Sequence, residues 1–283
     1  MKICVAGLGL IGGSMCMALR RAGYKVDGYN RSDKPLSYAL KNNIIDGAAD
    51  SFESYDVVFV AMPPRPTVNF ILNTRFKNGA IVADICGVKK YIEDAVSAAR
   101  LNVNYVGTHP MAGKEVSGVE NACADLFDSA SMVITRGICA DERSFDTVKR
   151  LVKDMGFKRI VECSAELHDR KIAYTSQLAH VVSNCYVNDP EIDGCLGFTG
   201  GSFQDMTRIA GVDEEVWSSL YLLNAENLSE KISSLISALV EIKSAVDSGD
   251  AQLLKAVLKE GKRRFTSGED ASARDGIKIT KLK

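Results

Sequence analysis

The chain has almost no net charge, 35 Lys and Arg standing against 36 Asp and Glu for a formal −1. Without a basic excess there is no field to gather nucleic acid or an anionic membrane surface, so neither partner is expected. Paired cysteines are lacking too: Cys4, Cys16, Cys86, Cys123, Cys139, Cys163, Cys185 and Cys195 are scattered and form no Cys-x-x-Cys. Neither a zinc ribbon nor a disulfide scaffold is suggested, no metal site is predicted, and the pattern reads as buried thiols in a reducing cytoplasm. A membrane span is also missing. The uncharged run Ile3–Leu19 falls short of the ~20 residues a span needs. Its Gly7, Gly9, Gly12 and Gly13 are poor for an apolar signal helix, and Arg20-Arg21 follow where a cleavage site should sit. There is no internal repeat and no low-complexity linker. Histidine is scarce, only His109, His168 and His180, each in a polar segment.

What is present is an ordinary globular composition, 46% apolar and 25% charged, on a chain long enough for two domains. The first half alternates candidate strands (Lys2–Ala6, Lys25–Tyr29, Val57–Ala61, Ala80–Asp84, Tyr105–Thr108, Met132–Thr135, Lys158–Cys163) with helix-like segments such as Ser14–Ala22, Lys89–Arg100 and Ser144–Met155. That alternation predicts a mostly parallel sheet covered on both faces. After Ser164 only Pro190 remains of the prolines, and apolar residues recur at helical spacing through Leu167–Val187 and Val216–Leu254. The stripe of Leu228, Ile232, Leu235, Ile236, Leu239 and Val240 reads first as core. The expectation is an α/β domain over 1–163, an all-helical domain over 164–283, and a loosely held polar tail from Thr266 onward.

Gly7-Leu8-Gly9-Leu10-Ile11-Gly12-Gly13-Ser14 follows the first strand and opens the first helix. Alone, Gly-x-Gly-x-x-Gly is a weak signal that a simple turn can produce. In this context the glycines permit a tight turn and let backbone approach a pyrophosphate at the helix N-terminus. The first domain therefore reads as Rossmann-type, with Gly7, Gly9, Leu10, Ile11 and Gly12 holding a nicotinamide dinucleotide. At the end of the second strand, where NAD enzymes usually place a carboxylate, the chain has Asn30-Arg31-Ser32. These residues suit a 2′-phosphate and favour NADP, while the nearby Asp33 keeps NAD open.

Three polar blocks follow. His109 ends a strand in Thr108–Glu115 (THPMAGKE), at the sheet edge where ligands bind. Ser176, Gln177 and His180 share a helix face in SQLAHVVS. Arg208 follows a glycine-rich loop in GGSFQDMTRIAG, suited to capture of a carboxylate or to an ion pair between domains. In this order, behind the glycine fingerprint and before Trp217, the blocks resemble the prephenate dehydrogenase family, including its arogenate-using members. The resemblance covers nearly the whole chain. It implies oxidative decarboxylation of prephenate or arogenate toward tyrosine. It also implies that His109 takes the proton of the substrate hydroxyl, Arg208 binds a substrate carboxylate, and His180 is a further active-site histidine beside Ser176 and Gln177. Lys89 matches a family lysine near the site and is expected to be catalytic with His109 and His180, while Ser176 and Gln177 are expected to bind substrate with Arg208. Gly87 departs from the pattern, since many members carry serine there.

The long helical half predicts a homodimer. Because the first strand begins at Lys2 and only a polar tail follows the helices, no chorismate mutase domain and no regulatory ACT domain are expected. The rival readings are a 3-hydroxyacid or 6-phosphogluconate type dehydrogenase, which would need a catalytic lysine in place of His109, and an NADPH-binding redox sensor without catalysis.

Overall fold

In the computed structural model, residues 1–136, 141–267 and 277–282 are described; Cys139 and residues 268–276 of the expected tail lie outside them. The first strands are β1 (Ile3–Ala6), β2 (Val26–Tyr29), β3 (Gly47–Ala48), β4 (Val57–Val60), β5 (Ile81–Asp84) and β6 (Asn104–Pro110). They are joined by α1 (Leu10–Arg21), α2 (Asp33–Lys41), α3 (Pro64–Asn73) and α4 (Lys90–Ala99). Then come β7 (Ser131–Thr135), α5 (Glu142–Asp154) and β8 (Arg159–Cys163). Among the described residues the sheet order is β3-β2-β1-β4-β5-β6-β7-β8-β9, with β9 at Lys278–Lys281. The registered pairs are parallel except β6 with β7, which run antiparallel.

The central strands are apolar at nearly every position because both faces are covered. Ile3, Val5, Val57, Phe59, Ile81 and Ala83 point into one core, which α1 and α5 complete. The alternate residues Cys4, Ala6, Val58, Val60 and Val82 enter the other core, with Ile71 of α3 and Ile92 of α4. In α5 the buried Phe145, Val148, Leu151 and Val152 recur at helical spacing.

Two helices, α2 and α3, lie outside the segments named as helical from the sequence. The prolines of α3 make Pro63–Pro66 look like a loop, yet Pro64 occupies the first turn, where a missing N–H costs nothing. In α2, Pro35 does the same near the start. The tail also differs from expectation. Lys278–Lys281 forms the edge strand β9, and Leu282 N donates to Lys158 O at 2.8 Å.

The later helices are α6 (Ala165–Ile172), a π-helical turn at Ala173–Gln177, α7 (Leu178–Val187), α8 (Gly201–Thr207), α9 (Glu214–Leu223), α10 (Ala225–Asp247) and α11 (Ala251–Ser267). The chain divides into two compact units. The sheet unit comprises Met1–Asp169, Gly211–Leu223 and Ile279–Lys283; the helical unit comprises Arg170–Ala210 and Asn224–Lys278. Within the helical unit α10 packs on α7, the π-turn and α11. The α10 stripe is not the core it resembles: Leu228 is buried, but Ile236, Leu239 and Val240 are 55%, 55% and 60% exposed. Among the described residues no helix is long and apolar enough to cross a membrane.

Candidate active site

Strand register sets the site before any side chain does. Ala6 pairs with Tyr29 on one side and Val60 on the other, Val60 pairs with Asp84, and Asp84 with Gly107. The residues that follow (Gly7, Asn30, Ala61, Ile85 and Thr108) therefore leave these parallel ladders along one carboxyl edge. In an open sheet of this order, ligands bind at that edge.

The glycine turn has two kinds of glycine. Gly7 turns with φ +105°, and a Cβ there would stand 2.2 Å from Ala61 O, so only glycine fits. Gly9 is different: a Cβ would meet nothing within 4 Å, which leaves its backbone open to a ligand. Gly9 caps α1 without a side-chain hydrogen bond, and the first helical bond runs from Gly13 N to Gly9 O at 2.9 Å. The N–H groups of Leu10, Ile11 and Gly12 thus precede the ladder and carry the positive end of the helix dipole, as a bound pyrophosphate requires.

A pocket of about 470 Å³ opens here, lined by residues Gly7 to Gly9, Tyr29 to Ser32 and parts of the β4–α3 connection and α3, among them Met62, Pro66 and Phe70. Asn30 is its clasp. Its Oδ1 accepts from Leu8 N at 3.0 Å, and its Nδ2 donates to Ser32 O and Oγ at 3.1 and 3.0 Å. Among the described residues the lining holds one cation, Arg31, and no carboxylate; Asp33 lies in the first turn of α2 and is not part of it. These residues fit a dinucleotide. The β4–α3 wall is absent from the sequence-based site, although the Pro63–Pro66 cluster straight after a strand marked a loop at the binding edge.

His109 lies inside β6 rather than past its end, opposite Val133 of β7. It still overhangs the parallel ladder, because β5 stops pairing at Gly107. The ring is partly buried, and its Nδ1 lies 2.9 Å from His168 Nε2. His168 Nδ1 in turn lies 2.7 Å from Asp169 Oδ1. Burial, then the His168 and Lys89 charges, hold the His109 pKa well below the usual histidine value. Burial likewise lowers that of His168. Both rings are neutral at pH 7. A side chain built at Gly87 would place Cβ 3.7 Å from His109 Cε1 and Nε2. The preceding residue, Cys86, donates through Sγ to Met62 O at 3.2 Å, so His109 adjoins the loop beside the nucleotide pocket.

Lys89, expected near the reaction, has no solvent exposure. Its ammonium donates to Asp84 Oδ2 and, at 2.6 Å, to Thr108 O. Tyr105 OH donates to Asp84 Oδ1 at 2.5 Å, and Thr108 Oγ1 donates to Asp84 O at 2.6 Å. Lys89 thus braces the main chain one residue before His109. Asp84, Tyr105, His168 and Asp169 complete this cluster without having been assigned from the sequence. The adjacent pair His168-Asp169 was the available signal, one of only three histidines beside a carboxylate.

The other predicted residues belong to the helical unit. Ser176 and Gln177 lie on the π-turn, a distortion frequent at functional sites. Ser176 is partly exposed, whereas Gln177 is buried and its Oε1 accepts from Asn224 Nδ2 at 2.8 Å. His180 Nδ1 lies 2.9 Å from Ile209 O. A carbonyl only accepts, so that nitrogen carries the proton. Burial lowers the His180 pKa and the charge of Arg208 lowers it further, against the Ile209 bond. Arg208 is exposed at the C-terminal end of α8.

A family model described as the nucleotide-binding domain of prephenate dehydrogenase matches residues 15–161, and one described as its dimerization domain matches 164–260. The curated prephenate dehydrogenase of Bacillus subtilis is 30% identical over 275 residues, 92% of this chain and 74% of that protein. A solved prephenate dehydrogenase from A. aeolicus, in complex with hydroxyphenyl propionate and NAD+, superposes with TM-score 0.83 at 30% identity, covering 94% of this chain and 97% of the other. The arogenate dehydrogenase of Synechocystis gives 0.78 at 25% identity over 94% and 100%.

Proposed function

The chain belongs to the prephenate dehydrogenase family, and on that premise we propose that it oxidises prephenate with NADP, releasing CO₂ and 4-hydroxyphenylpyruvate on the way to tyrosine. It is a nicotinamide-dependent oxidoreductase. The observation that carries the reaction is His109, a neutral imidazole held on the overhang of β6 beside the loop that borders the nucleotide pocket.

The bound nicotinamide supplies the hydride acceptor. His109 takes the proton of the substrate hydroxyl as hydride leaves the same carbon, which becomes a carbonyl. The C–CO₂⁻ bond then breaks, and its electron pair flows through the ring to that oxygen. The proton returns to it, giving the phenol. No net proton is gained or lost there, so a group that both takes and gives one at near-neutral pH is required, and imidazole suits this. Aromatisation and loss of CO₂ drive the reaction; the protein supplies position and charge. Arg208 pairs with a substrate carboxylate, and His180 and Ser176 contact the substrate side chain. Lys89 and Gln177 act by holding β6 and the π-turn in place.

The NADP preference rests on the pocket lining, where Arg31 and Ser32 stand ready for a 2′-phosphate and no carboxylate repels it. The exposed α10 residues Ile236, Leu239 and Val240 support a homodimer through the helical unit, since a solvent-facing apolar stripe of this kind needs a cover. The free cysteines among the described residues accord with the cytoplasm.

One observation favours arogenate as a second reading. His180 carries its proton on Nδ1, so in the neutral ring Nε2 accepts rather than donates, which suits an ammonium better than a keto oxygen. Initial rates for both substrates with NAD and with NADP test all of this. Turnover is expected to be fastest with NADP and prephenate; no turnover with either substrate would remove the assignment.

A further inference from the structure

The predicted chemistry uses one histidine of the sheet unit, yet two stand in line with a carboxylate behind them. Asp169 is held firmly. Its Oδ1 accepts from Lys89 N at 2.8 Å and its Oδ2 from Lys90 N at 2.9 Å, so it caps α4 from outside that helix. His168 is almost fully enclosed, 2% exposed, with Nδ1 at 2.7 Å from the same Oδ1.

Proton positions follow from these partners. A carboxylate only accepts, so His168 Nδ1 carries a proton. In the neutral ring, Nε2 of His168 is then a lone pair. That lone pair, 2.9 Å from His109 Nδ1, requires the proton to sit on His109 Nδ1. His109 Nε2 is left unprotonated, and with Cε1 it lies 3.7 Å from a Cβ built at Gly87. The reverse tautomer of His109 would set two lone pairs against each other.

We propose that Asp169 and His168 are positioning residues that hold His109 as the Nδ1–H tautomer and stabilise its imidazolium while it holds the substrate proton. The proposal rests on the reading of His109 as the proton acceptor. Gly87 gives it a reason to exist: with no side-chain hydroxyl at that position to orient the ring, orientation comes from behind. The charged and titratable groups around His109 are His168 and Asp169 from α6, Lys89 at the N-cap of α4, and Asp84 at the end of β5. The facing residue from α9, Leu220, is apolar.

The test compares His168→Leu, which removes the acceptor, with His168→Gln, whose carboxamide oxygen can still accept from His109 Nδ1. In the full chain with NADP bound, His168→Leu should lower kcat at least about tenfold, with KM and NADP affinity nearly unchanged. His168→Gln should recover most of that loss. Nitrogen-15 NMR of labelled histidines should show the Nδ1–H form of His109 in the wild type and a mixture of tautomers in His168→Leu. Equal losses in the two variants, or an unaltered tautomer, would overturn the relay. Asp169→Asn provides a second route, because an amide facing His168 can reverse both tautomers and should cost at least as much kcat. Should that variant fail to fold for want of the α4 cap, the Leu–Gln comparison decides by itself. The NMR signature needs no turnover, so failure of the relay and failure of the proposed reaction give different results.

Discussion

The two candidate histidines are held in contrasting ways. His109 stands on a strand of the sheet unit and bonds through Nδ1 to another side chain, His168. His180 stands on a helix of the helical unit and bonds through Nδ1 to a main-chain carbonyl, Ile209. A side-chain partner can titrate or be removed, so the state of His109 can be tuned. A carbonyl does neither, and His180 keeps its tautomer for as long as the end of α8 stays in place. Under the proposed reaction, the contrast assigns proton chemistry to the tunable histidine of the sheet unit and substrate recognition to the fixed one of the helical unit.

The largest effect should come from the sheet side. His109→Asn is expected to lower kcat by about 10²–10⁴-fold, the usual worth of a general base. NADP affinity, read by fluorescence titration, should stay the same because the glycine turn is untouched. An unchanged kcat would move the chemistry elsewhere and dissolve the contrast.

On the helical side the loss should fall on binding. Arg208→Ala should raise KM by about 10–100-fold at similar kcat, as expected for a charged hydrogen bond of roughly 1.5–3 kcal/mol. A fall in kcat with KM unchanged would place Arg208 in the chemistry and blur the two units into one role. The cofactor side offers a smaller test. Asn30→Asp keeps the acceptor for Leu8 N but sets a carboxylate beside Arg31. It should cut the proposed NADP-over-NAD preference about tenfold, a change of about 1.4 kcal/mol. No change would mean that the 2′-phosphate is not read at this wall.

Acidity tests the buried pair of the sheet unit. Native pKa values of His109 and His168 lie below the ordinary 6.5, so between those values and 6.5 the unfolded chain binds protons that the native state does not. Stability should therefore fall as pH drops through about 6.5 and stop falling once the native pKa values are passed. Thermal melts of wild type and His168→Leu from pH 7.5 to 5 would show it, the variant having the shallower slope. Equal slopes would mean that His168 is not buried as a neutral ring.

Much of the fold was legible because strands buried on both faces must be apolar throughout, as in Val57–Val60, and because glycine carries positional meaning at Gly7 and Gly9. Other parts were not, for physical reasons. The helix α3 hides behind prolines that a first turn accommodates. The α10 stripe looked like core, since periodicity reports an apolar face and not what covers it. His109 was visible from its block, but its partner is 59 residues away, and only tertiary packing brings such a pair together. Lys89 showed the reverse: its proximity to the site was implied, whereas its enclosure with Asp84 could be learned only from the fold.

The smallest effect is the most discriminating. A Cβ at position 87 would lie 3.6 Å from Leu220 Cδ2 and 3.7 Å from the His109 ring, ordinary contact distances, so Gly87→Ser should fold normally. The added hydroxyl starts beside Cε1 and Nε2 of His109, whereas His168 bonds Nδ1. If His168 already fixes the ring, the substitution has little left to orient and kcat should change by less than about threefold, below the ~1 kcal/mol of a full hydrogen bond. A tenfold rise in kcat would show that the ring is loosely held from behind. In that case His109 would depend on its front neighbour, and the tunable side-chain anchor that sets it apart from His180 would lose its force.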